Sequence, residues 1–250
     1  MRRARWIVVA VLAATWLLGG GSGWANAQNA ALPDRAVVGR HLDTVFGSLE
    51  RVVRKWPDDI RYSVLGAPSP GHREGVRRAI GAIAEATGLD ASDVTGTGEP
   101  ATIVLYFAKS IDELLPDQWL ARLFRNDGES AVAFEARMRE RFEDGGWLTA
   151  HDYDGDDENV SLSIANVGLD NGDPAVLAMR MTLAAFFAYN PSDTIKPSLM
   201  NPGPMEKPEL GPIDKALLAA LYDGLIESGV TYAEVRSLMI DLVRGKLGGI

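Results

Sequence analysis

Apolar positions recur at three- and four-residue spacing over residues 34–56. Val38, Leu42, Val45, Leu49 and Val52 fall on one stripe there, which predicts an amphipathic helix. The run IRYSVL at 60–65 predicts a short strand, ended by Gly66 and the turn-rich Ala67-Pro68-Ser69-Pro70-Gly71. A second helix is expected over 74–87, with Gly88 in the position a C-cap glycine prefers. The run ATIVLYF at 101–107 is apolar throughout and rich in β-branched residues, the pattern of an interior strand. Ser110 and Glu113 have capping-box spacing and predict a helical region reaching 142, broken near Asn126-Asp127-Gly128. NVSLSIANV at 159–167 alternates Val160, Leu162 and Ile164 with polar residues, predicting a third strand.

The most apolar helix follows. Asp173 caps it, Pro174 fits its first turn, Asn190-Pro191 closes it, and Arg180 is its only charge. A long loop over 189–211 carries Pro191, Pro197, Pro202, Pro204 and Pro208; loops of this length are uncommon in compact domains and often functional. Two helices finish the chain. The first, over 212–226, has Ile213, Leu217, Leu218, Leu221, Tyr222 and Leu225 on one stripe. The second opens with the Thr231–Glu234 capping box and buries Val235, Leu238, Met239 and Leu242. Helices alternating with strands imply a mixed α/β (α+β) domain: a small sheet with flanking helices and a helical C-terminus.

The first residues alter the boundaries of that domain. Arg2, Arg3 and Arg5 precede an apolar run over 6–18, glycines break it, and Ala25-Asn26-Ala27 supplies an A-x-A cleavage site. The expectation is a signal peptide over 1–27 and one domain over 28–250, with 28–56 its N-terminal helical part. The protein is then periplasmic or secreted, with no stable membrane insertion after cleavage. Cleavage removes three arginines and no acid, so the net charge moves from −9 to −12. Such an acidic chain without a basic run argues against nucleic acid as a partner. It has no cysteine, hence no disulfide and no thiol nucleophile.

Familiar chemistry finds little support. His41, His72 and His151 are far apart, and no H-E-x-x-H places two ligands one helical turn apart. His41 lies on the apolar face of the first helix, where a histidine at the edge of the core is expected. The acidic run Asp152-Tyr153-Asp154-Gly155-Asp156-Asp157-Glu158 departs from the EF-hand template: its glycine comes early and Ser163 stands at the twelfth position. There is no G-x-S-x-G, and Gly96-Thr97-Gly98 precedes a strand instead of following one. The expectation is no catalytic residue, no metal and no cofactor.

Asn190, Ser192, Asp193, Pro197, Ser198 and Asn201, followed by Asp214, Leu217, Leu218, Leu221, Tyr222 and Asp223, form a pattern with Ser228-Gly229-Val230-Thr231 behind it. Over 56–250 it resembles the bacterial exported family called domain of unknown function 2927, and that resemblance implies a zincin-like fold related to zinc-dependent peptidases. The family's helix carries two Glu and a Gln; the matching positions here are Arg180, Met181 and Ala184. A cation, a thioether and a methyl group cannot jointly hold Zn²⁺ or activate water. The resemblance therefore implies a pseudo-peptidase scaffold, a binding module for an unknown protein or peptide partner. Arg180, Asp193 and Asp214 are its candidate cleft residues, and Arg180, the lone charge on the helix, is expected either to pair with Asp193 or Asp214 or to reach the surface along its apolar stem. The alternative is a hydrolase using carboxylates such as Asp193, Asp214 and Asp223.

Overall fold

The computed structural model describes residues 32–248 apart from 57–58, 116–122, 144–146, 153–159, 169–171, 204 and 206. The expected signal segment and most of the acidic run lie outside the described residues. Within them are six α-helices and five strands, a mixed α/β architecture whose strands follow the order β2-β1-β3-β5-β4. Strands β1 (Ile60–Gly66), β2 (Ala91–Asp93), β3 (Ile103–Ala108) and β5 (Val160–Asn166) run parallel, and β4 (Trp147–Asp152) pairs antiparallel with β5 at the sheet edge.

The sheet separates two cores. Alternation along β3 sends Ile103, Leu105 and Phe107 into the larger one and Val104, Tyr106 and Ala108 toward the smaller. Helices α1 (Arg35–Phe46), α2 (Pro70–Thr87), α4 (Pro174–Phe186), α5 (Pro212–Leu221) and α6 (Tyr232–Gly248) build the larger core. Helix α3 (Ala131–Glu143) covers the other face through Phe134, Met138 and Phe142. Because both faces are covered, β3 is interior and reads as an apolar run, while the equally buried β5 sets Ser161 and Ser163 between its apolar residues. Each Leu or Phe sealed in this way contributes about 1.5–3 kcal/mol of hydrophobic stabilisation.

Several boundaries differ from the pattern-based expectation. Helix α1 stops at Phe46, ten residues short of Trp56. Gly47 takes φ 72°, and a Cβ there would meet the Asn190 side chain. Beyond it the chain turns to pair with the segment before α6: Val53 N–H donates to Val230 at 2.7 Å and Tyr232 N–H to Arg51 at 2.7 Å. Leu49 and Val52, expected on the buried stripe, are exposed.

Helix α2 starts earlier than expected. Pro70 occupies its first turn, and Ser69 and His72 cap reciprocally, with Ser69 N–H donating to His72 Nδ1 at 3.0 Å and His72 N–H to Ser69 Oγ at 3.3 Å. Ser110 opens only a 3₁₀ turn, Ile111–Glu113, before the undescribed segment, and α3 begins at Ala131. Helix α4 ends at Phe186 and α5 at Leu221, which leaves Leu225 exposed. Strands β2 and β4 have no counterpart in the expected pattern. The β4 sequence WLTAHD alternates weakly, and its residues 147–151 are buried whatever their polarity.

One contact sets how α4 is seated. At Gly75 of α2 a Cβ would lie 2.4 Å from the Ala175 carbonyl oxygen, so only glycine lets the two helices cross this closely.

Candidate functional site

Helix α4 is the element the resemblance singles out. Met181 and Ala184, which match the second Glu and the Gln of the family pattern, are buried at 0% and 3% exposure. Hydroxyl groups of the sheet lie beneath this helix. Ser163 Oγ donates to the Met181 carbonyl at 3.1 Å and lies 2.6 Å from Thr149 Oγ1. His151 on β4 is buried and touches the Ala184 backbone. Burial pushes its pKa down to about 3, and the charge of Arg51 acts the same way. The face that would carry ligands is closed over a buried polar layer.

Arg180 turns to the loop that follows α4. Its Nε donates to the Leu199 carbonyl at 3.3 Å, and its Nη2 to those of Asn201 at 2.6 Å and Gly203 at 2.5 Å. This corrects the expected ion pair: Arg180 bonds neither Asp193 nor Asp214, and Asp214 acts on it only through its field. Three carbonyl dipoles satisfy the guanidinium, and the guanidinium satisfies loop carbonyls that no ladder would otherwise pair. The alternative, reaching the surface along its stem, does not describe it either, since the side chain is half-buried beneath the loop. Burial lowers its pKa, but Arg remains charged at every ordinary pH.

Asp214 organises the other end of the same loop. It is fully buried and accepts from Ser198 Oγ at 2.5 Å, Leu199 N–H at 2.6 Å and Gly211 N–H at 2.8 Å. Sequence fixes this locally: Gly211-Pro212 opens α5 and Asp214 is its third residue, where a carboxylate reaches back to the cap N–H. Burial pushes Asp214 up to about 6, against the pull of those hydrogen bonds. Asp193 is exposed on the loop. Asp223 accepts from Leu225 N–H at 3.1 Å and lies 3.3 Å from Lys246 of α6, and both hold its pKa below the usual range. The three acids sit in three different settings.

Residues outside the candidate set complete the loop's underside. His41 of α1 is fully buried, not at the core edge, with Nδ1 2.9 Å from Ser192 Oγ. Tyr189 is buried between α4 and the loop, and burial raises its pKa. Ser192 N–H donates to the Met200 carbonyl at 3.0 Å, folding the loop back on itself. Of the three, only Ser192 belongs to the resemblance pattern, which names positions without giving roles; His41 was signalled by its place on the apolar face of the first helix, and Tyr189 by nothing in the sequence.

Among the described residues, no group of three or more His, Cys, Asp or Glu has metal-holding geometry. No helix among them is long and apolar enough to cross a membrane. A shallow groove of about 420 Å³ opens beside α4, floored by Met179 and Leu210 and rimmed by Arg77, Arg78, Glu85 and Lys215. None of Arg180, Asp193 and Asp214 lines it. No model of a known protein family matches the chain, and a search of curated proteins returns no match.

Proposed function

We propose that the protein is an exported, non-catalytic binding module on a degenerate zinc-peptidase-like scaffold, acting on a protein or peptide partner. One observation carries this reading. Where a peptidase would present ligands into an open cleft, α4 presents buried Met181 and Ala184, and Arg180 ties the chain's own loop across it. A site of that chemistry cannot hold Zn²⁺ or activate a water. The mixed sheet, with an antiparallel edge strand and α4 laid against it, supports the zincin-like reading as an architecture without its chemistry.

The hydrolase reading needs two carboxylates at a fixed separation facing one substrate. Asp214 is spent on loop hydrogen bonds, Asp193 is exposed and Asp223 pairs with Lys246, so the acids named for that role do not support it.

The test is native purification from the periplasm, with metal analysis of the same sample and reconstitution with the purified partner. A saturable complex with less than stoichiometric metal is expected. Stoichiometric zinc, or hydrolysis of a peptide library that persists in Arg180→Met, would overturn the proposal.

A further inference from the structure

The loop over 187–203 is held from two sides by groups of different chemistry. On the α4 side the anchor is Arg180, whose charge does not change with pH. On the α1 side the anchors are neutral: the His41–Ser192 hydrogen bond at 2.9 Å and the bond from Asn190 N–H to the Val45 carbonyl at 2.9 Å. His41 is 0% exposed, and its Nε2 has no hydrogen-bond partner among the described residues. A neutral imidazole tolerates this arrangement with one nitrogen bonded. An imidazolium does not, because it must donate from both nitrogens and Nε2–H would have no acceptor among the described residues.

We propose that His41 is an acid-released latch, whose protonation frees the α1-facing half of the loop while Arg180 keeps the other half on α4. The charged and titratable groups around it are few. Arg40 and Asp43 share its helix, Arg236 of α6 pairs with Asp43 at 2.6 Å, and Tyr189 and Asp193 come from the loop. None of them is a cause of its shift; burial alone lowers His41, to about 4. No carboxylate is therefore in place to accept the new charge where the ring now sits. The ring must move toward water, and Ser192 then keeps its bonds to Thr194 but loses its tie to α1. The segment that leaves carries Tyr189, which lies in the field of Arg180 and Asp214, so release would bring that buried phenol to solvent. The latch is independent of whether α4 once bore a catalytic site.

The test is hydrogen exchange of the full chain between pH 7 and pH 4, corrected for intrinsic exchange, read at the Asn190 and Ser192 amides. Uptake of one proton on opening predicts that their protection falls about tenfold per pH unit below about 6.5. In His41→Gln, which stays neutral and can still reach Ser192, the slope should vanish. If that variant does not fold, His41→Leu serves instead, which removes both the titrating ring and the Ser192 bond: low protection at pH 7 and no slope. Protection of Asn190 and Ser192 that is independent of pH in the wild-type protein overturns the proposal, as does an unchanged slope in His41→Gln or His41→Leu.

Discussion

Arg180 does for the loop what a ladder strand does for its neighbour: it supplies donors to carbonyls that regular structure leaves unpaired. Replacing it by Met keeps the apolar stem and strands three half-buried carbonyls, a loss of about 2–4 kcal/mol. The melting temperature should fall by roughly 5–15 °C at this chain length. Arg180→Lys keeps the charge without the planar fork, and should recover less than half of that loss. An unchanged melt in Arg180→Met would remove the loop-anchor role. Asp214→Asn tests the other anchor. Leu199 N–H and Gly211 N–H both donate to Oδ2; in one rotamer an amide NH₂ opposes that pair, while in the other it donates to Ser198 Oγ and leaves the Ser198 O–H without its carboxylate acceptor. Unfolding in urea should show a loss on the order of 2–3 kcal/mol. The sequence makes Arg180 conspicuous as a lone charge on an apolar helix, which calls for a carboxylate or for water, and the structure supplies backbone carbonyls instead. The sequence could not tell which partners, because backbone carbonyls carry no signature in side-chain letters and an aspartate twelve or more residues away does.

Helix α2 offers a paired test within one element. Gly75 crosses α4 with no room for a Cβ, whereas a Cβ at Gly81 meets nothing within 4 Å. Gly81→Ala should therefore gain up to about 1 kcal/mol from helix propensity. Gly75→Ala should lose roughly 1–3 kcal/mol instead, because α2 and α4 must separate. Denaturant midpoints of the two variants moving in the same direction would contradict the crossing described here. The elements that were legible from the chain are those with strong periods and explicit ends. Strands β1, β3 and β5 are apolar or alternating, and Gly88 and the Thr231–Glu234 pair mark α2 and α6. Those that were not legible depend on partners distant in sequence. Helix α1 ends because Gly47 and the 51–53 segment answer to Asn190 and to residues 229–232, and the stripe of Leu49 and Val52 continued past that point by coincidence of spacing. Strand β2 is three exposed residues and exists only by pairing with β1. Strand β4 buries Thr149 and His151 beneath α4, which hides its alternation.

At the scale of the whole molecule, all three histidines are buried, which makes the protein's stability depend on pH in a direction that can be worked out. Burial lowers His41 to about 4 and His151 to about 3, and it lowers His72 as well. Each folded value lies below the unfolded one, near 6.5, so in the window between them the unfolded chain holds the extra proton. Their stabilisation is complete above about pH 6.5 and is lost as pH falls toward the folded values. Asp214 works in the opposite sense. Its folded pKa is raised to about 6, so its contribution is present below about pH 4 and lost as pH rises through 6. Three depressed groups outweigh one raised group, and stability should fall by about 1–2 kcal/mol per pH unit between pH 6.5 and 4. The carboxylates that ion pairs hold low, such as Glu129 at about 2 beside Arg137, add their loss only below that window. Urea unfolding at pH 7, 5.5 and 4.5 checks the sign. His151→Gln should flatten the curve, because it removes one of the three histidines. Asp214→Asn should steepen it, because it removes the opposing group. Stability that is flat or rising toward pH 4.5 in the wild-type chain would mean that the histidines are not held neutral by their surroundings, and the acid-released latch at His41 would fall with them.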